Sequence, residues 1–145
     1  MGNVTILGPV SSCGTELPFF SSRVSAGFPG PALDHMEQKI SLDDLLGINA
    51  PHTFLVRSLG DSMMGAGIFD ADVMVVNRAL QAIHGDVVVA ALNGEFFVKR
   101  LDISASQIVL RSDNPDFAPR FVMEGDELLI WGVVPDSIRN HRRHA

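Results

Sequence analysis

From Thr53 to Val134 the chain is built of short β-branched or aromatic runs, each closed by Gly, Asp, Asn or Pro. "TFLVRS", "DVMVV", "GDVVVAAL", "GEFFVKRL", "QIVLRS" and "DELLIWGVV" are too short and too rich in Val, Ile and Phe for helices, and they read as strands separated by turns. Asn93-Gly94 lies between two of them and predicts a two-residue hairpin. Six or seven short strands with little helix restrict the chain to a mainly β, compact domain with coiled or barrel-like sheets. One short helix is expected at "SLDDLLG", with Ser41 as N-cap, Asp43 and Asp44 in the first turn and Gly47 as the stop.

The first part of the chain differs. "GPVSSCGTELPFFSSRVSAGFPGPALDH" is laced with Gly, Pro and Ser and shows neither period. The expected organisation is therefore a flexible N-terminal arm over residues 1–40 and a β-rich domain over residues 41–145. The apolar pieces "LPFF" and "RVSAGF" mark an arm that docks on something.

Composition narrows the function classes. A net charge of −6 over 145 residues gives no general attraction to nucleic acid, so direct sequence-specific DNA binding is not expected. Cys13 is the one cysteine, which excludes an internal disulfide and a thiolate metal cluster. The histidines at 35, 52, 84, 141 and 144 show no ligand-like pairing outside the "HRRH" tail, read as a solvated end. No metal or other cofactor is expected. No apolar run reaches the length of about 20 residues that a membrane helix needs, and the N-terminus lacks a basic, apolar leader pattern. The chain reads as cytoplasmic, with no membrane contact.

Chemistry centres on Ser62, in "GDSM" at Gly60–Met63. A serine there is either a turn residue or a nucleophile, depending on whether a base accompanies it. In "GEFFVKRL" the alternation places Phe97, Lys99 and Leu101 on one face and Phe96, Val98 and Arg100 on the other. Lys99 either snorkels over Phe97 or sits desolvated among apolar side chains. In the second case its amine becomes neutral near physiological pH and can act as a general base.

Taken in order, "GDSM", "GIFDADVMVVNR", "HGDVVVAALNGEFFVKRL" and "WGVV" resemble the LexA-like self-cleaving serine–lysine peptidases, over about Phe19 to Val134. The resemblance implies a compact LexA/signal-peptidase-like β fold with an extended arm. It assigns Ser62 as nucleophile and Lys99 as general base, with Gly60, Asp61 and Met63 forming the oxyanion turn. In "SAGFPG" it marks Ala26-Gly27 as the bond cut, with Val24 in a second apolar pocket. A methyl group at Ala26 suits a shallow pocket, and Gly27 offers no Cβ to obstruct the approach. The short arm leaves no room for a helix-turn-helix reading head and resembles the UmuD branch of SOS mutagenesis proteins. That branch implies a homodimer, activation by a RecA–single-stranded DNA filament, and a truncated product that joins a UmuC-type subunit in an error-prone translesion DNA polymerase. Phe69 and Ala71 in "GIFDAD" depart from the family pattern, which more often has a small or polar residue and a glycine there. Two other readings compete: a signal-peptidase-like protease, which would want a membrane anchor, and a non-catalytic regulatory module binding a polymerase or a RecA filament.

Overall fold

The computed structural model describes residues 3–10, 16–20, 36–48 and 51–142, with side chains outside 16–20 and 36–40. The chain divides into two compact units, residues 1–10 with 50–145, and residues 11–49.

The larger unit is one antiparallel sheet. Its strands are β1 (Val4–Pro9), β4 (Thr53–Ser58), β5 (Val73–Asn77), β6 (Val87–Leu92), β7 (Glu95–Ser104), β8 (Gln107–Arg111), β9 (Arg120–Phe121) and β10 (Leu128–Ile138). They lie in the order β1-β4-β5-β10-β6-β7-β8-β9. The long β10 pairs with β6 through its first half and with β5 through its second, with register shifts at Ile130/Gly132 and Val133/Asp136. Such bulges add local bend and twist, which lets one strand serve two parts of a coiled sheet. The β6–β7 connection is the expected hairpin: Leu92 pairs with Glu95, and Asn93 and Gly94 take φ of 51° and 85°. Positive φ at both central positions is the type I′ requirement that Asn-Gly meets at least cost.

Coiling leaves apolar side chains on both faces of the sheet. One core joins Val56, Met63, Met74, Val76, Val98 and Trp131; the other joins Val88, Ala90, Leu92, Leu101, Leu110 and Val133. The alternation in β7 therefore buries both sets, Val98 in the first core and Leu101 with Phe97 in the second. Trp131 makes edge-to-face contacts with Phe54 and Phe96, at centroid distances of 5.2 and 6.2 Å, and Arg78 lies 4.5 Å over its ring.

The smaller unit pairs β2 (Glu16–Phe20) with β3 (Met36–Ser41), followed by α1 (Leu42–Leu45). Ser41 caps α1 as expected, its Oγ accepting from Asp44 N–H at 3.0 Å.

The arm is less uniform than the sequence reading has it. Residues 4–9 form an edge strand of the large sheet, paired with β4 from Val4↔Ser58 to Pro9↔Phe54. The β-branched start Val4-Thr5-Ile6 supplies the strand. Gly8 and Pro9, which read as arm residues, sit where an edge tolerates them: at a register shift and at the strand's end.

Candidate active site

Ser62 follows β4 in a loop that turns through Leu59-Gly60-Asp61 into a single 3₁₀ turn at Met64–Ala66. The loop is fixed from two sides. Gly60 N–H donates to Asp70 Oδ1 at 2.8 Å, and Asn114 Nδ2 donates to the Asp61 carbonyl at 2.8 Å. Beyond the serine, Met63 is buried, Asp113 N–H points at its sulfur, and Gly65 N–H donates to the Asp113 carbonyl at 2.7 Å. The hydroxyl is thus held on a rigid, tightly packed turn, with Ser62 only 6% exposed.

Lys99 comes from the middle of β7. The β7–β8 register, carried one step past Arg100↔Arg111, sets it opposite Ser112, whose Oγ accepts from Lys99 Nζ at 2.7 Å. Nζ lies 5.8 Å from the Phe97 ring centroid. Ser62 and Lys99 line one cavity of about 220 Å³, walled by Leu59, Phe97 and Phe117 and shared with Asn3 and Asp61. A second cavity of about 160 Å³ borders Lys99 on the side of Leu92, Leu110 and Arg120. Burial among these groups pushes the Lys99 ammonium below its ordinary pKa, because desolvation disfavours the charged form.

Of the turn residues expected around an oxyanion, Gly60, Asp61 and Met63, Gly60 has its N–H committed to Asp70 Oδ1. Arg100 points to the opposite face from Lys99, as its alternation requires, and binds Asp113 and the Gly85 carbonyl. Ala26, Gly27 and Val24 lie outside the described residues.

Two site residues escape sequence reasoning. Ser112 is recognisable only once the register is known. Asn3 donates from Nδ2 to Ser62 Oγ at 2.9 Å, while its Oδ1 accepts from Val98 N–H at 2.8 Å. Nothing in "MGNV" signals either contact.

Asp70 and Asp72 hold the turn before β5. Burial alone raises the Asp72 pKa. The Arg139 hydrogen bonds, the Phe69 N–H and the nearby Arg139 and His141 charges outweigh it, so the carboxyl titrates below its ordinary range. Arg139 also stacks 3.7 Å over the Phe69 ring. Phe69, one of the two departures from the family pattern, thus has a partner in the last strand's extension. Ala71, the other, takes a φ of 68° and offers its carbonyl to Arg57.

Among the described residues no helix is long and apolar enough to cross a membrane. The sequence matches the peptidase S24-like family over residues 18–135. It is 39% identical over 127 residues to Protein MucA of Salmonella typhimurium, covering 87% of this chain and 86% of that one. To Protein ImpA of Shigella flexneri it is 38% identical over 126 residues, 86% of this chain and 85% of the relative. With the LexA repressor of Bordetella avium it shares 38% over 122 residues, 84% of this chain but 57% of the repressor.

Proposed function

The chain belongs to the peptidase S24-like family, and from that membership we propose that it is a self-cleaving SOS mutagenesis protein of the UmuD type, cutting its own Ala26-Gly27 bond. The observation that carries the reading is the cavity in which a rigidly held Ser62 hydroxyl and a desolvated Lys99 amine face common space.

In the reaction, neutral Lys99 Nζ takes the Ser62 proton as Oγ adds to the Ala26 carbonyl carbon. Donation of one N–H to Ser112 leaves the amine lone pair free for that proton. Backbone amides of the turn around Ser62, those of Asp61 and Met63 among them, hold the developing oxyanion. Collapse breaks the C–N bond, and the Lys99 ammonium protonates the departing Gly27 amine. Water, deprotonated by Lys99, then hydrolyses the Ala26 ester and restores Ser62. Because the bond is tethered to the site, one intramolecular turnover suffices.

The product, beginning at Gly27, is the working form: a homodimeric, cytoplasmic subunit that joins a UmuC-type catalytic subunit in an error-prone translesion polymerase. A RecA–single-stranded DNA filament triggers the cut. Intact mass followed over time tests the reading, for wild type, Ser62→Ala and Lys99→Met, at about pH 7.5 and about pH 10. Loss of the segment ending at Ala26, faster at high pH and absent in both variants, is the expected result. A wild type that stays whole at both pH values, even with the filament added, would leave a regulatory binding module in its place.

A further inference from the structure

The Ser62 hydroxyl does not stand alone in its cavity: it accepts a hydrogen bond from Asn3, the residue immediately before the first strand of the sheet. Asn3 is anchored through both its backbone N–H and its backbone carbonyl. Its N–H donates to the Phe96 carbonyl at 3.0 Å, and its carbonyl accepts from Leu59 N–H at 2.8 Å. With Oδ1 on Val98 N–H and Nδ2 on Ser62 Oγ, every polar atom of the residue is engaged. All four of those partners belong to the two segments that carry the reacting pair, Phe96 and Val98 to β7 and Leu59 and Ser62 to the loop after β4. The Leu59 bond also continues the β1–β4 register by one residue, so strand pairing itself sets where the amide points.

We propose that Asn3 is a positioning residue for the nucleophile, supplied by a strand that the reaction cuts away from it; the inference rests on the self-cleavage reading above. An amide donor on one Oγ lone pair fixes the serine rotamer and directs the hydroxyl proton away from itself, into the cavity that Lys99 shares. As that proton leaves, negative charge builds on Oγ and the N–H···O bond strengthens, so the amide stabilises the activated oxygen more than the resting one. No bond to Asn3 forms or breaks. Asn3 and the Ala26-Gly27 bond lie on the same side of Ser62 in the chain, with Asn3 upstream of the cut. Cleavage therefore leaves Asn3 and Ser62 on separate polypeptides, held together by strand pairing alone, β2 on β3 and β1 on β4, with β1 an edge strand whose Thr5, Ile6 and Leu7 are exposed. Release of that strand removes the amide from Ser62, and the site that has made one cut loses the group that oriented it.

The test is the self-cleavage rate of the full chain against pH for wild type, Asn3→Ala and Asn3→Asp. Val98 amide-hydrogen exchange serves as a monitor of strand docking. Asn3→Ala should slow cleavage roughly 10- to 100-fold, at or below the range for loss of a side-chain donor in an acyl-transfer site. Asn3→Asp keeps an oxygen for Val98 N–H but replaces the donor with a carboxylate. It should cleave slowly with Val98 still protected, and its pH midpoint should move upward, because a negative charge in the Lys99 cavity, added to Asp61 and opposed by Arg120 on the far side, favours the ammonium. A strand that merely undocked would not move the midpoint in that direction. Wild-type cleavage with Asn3→Ala equally fast or faster would overturn the inference alone. A wild type that never cuts would remove the reading beneath it as well.

Discussion

Substituting Gly65 probes how tightly the nucleophile loop is tied to the chain after β8. A Cβ at this position would lie 2.5 Å from the Asp113 carbonyl oxygen, 3.2 Å from its carbon and 3.3 Å from its Cβ. Ordinary non-bonded contact begins near about 3.5 Å, so the two segments must part by about 1 Å. The Gly65 N–H···O bond, now 2.7 Å, would stretch past hydrogen-bonding range. Its loss costs about 1 kcal/mol, and the forced displacement of a packed turn a further 1–3 kcal/mol or so. Together, about 2–4 kcal/mol corresponds to a melting point lower by roughly 6–16 °C for a chain of this size. The same displacement reaches Ser62, three residues upstream, and a misplacement of about 1 Å slows a positioned reaction by about 100-fold. Gly65→Ala should therefore melt early by circular dichroism and, at a temperature where it is folded, cleave about 100-fold slower by intact mass. Gly132→Ala is the matched control: its Cβ would meet Val76 Cγ1 at 2.5 Å between β10 and β5, outside the serine cavity. It should lose stability but keep its cleavage rate. If Gly65→Ala melts within about 1 °C of wild type and cuts at full rate, the close approach to Asp113 is refuted.

Three further outcomes are expected. Ser112→Ala removes the acceptor that favours the Lys99 ammonium, so cleavage should slow by about tenfold while its pH midpoint falls, both read from one pH–rate series. Ala71→Gly relieves a left-handed φ that costs about 1–2 kcal/mol against about 0.4–1 kcal/mol of added unfolded-state entropy. It should raise stability in urea by about 0.5–1 kcal/mol. Arg139→Gln leaves the Asp72 carboxylate, 4% exposed, without its guanidinium and should lower the melting temperature at neutral pH. Because the folded Asp72 titrates below its ordinary 3.8, the ion pair's contribution is complete above that value and fades as pH falls through the folded pKa. The gap between variant and wild type should close there; a gap that persists in acid would argue against the ion pair as its source.

Much of the molecule was legible in the residues. Short β-branched runs and turn signals are local properties, so the mainly β class, the Asn93-Gly94 hairpin and the Ser41-capped helix follow from nearest neighbours alone. Alternation in β7 likewise separated Lys99 from Arg100, and the segments around Ser62 and Lys99 carried the family resemblance. What alternation left open was the fate of Lys99's face, since period two says which side chains share a side and not whether that side is dry. Only the coiled sheet, with a core on each face, decided that Lys99 is half-buried and titrates low. Long-range pairing decided the rest. Val4–Pro9 became an edge strand because β4 offered it a ladder, Ser112 met Lys99 through the β7–β8 register, and Asn3 reached Ser62 across the β1–β4 pairing. Those contacts join residues far apart in sequence, and no local preference encodes which strands lie side by side.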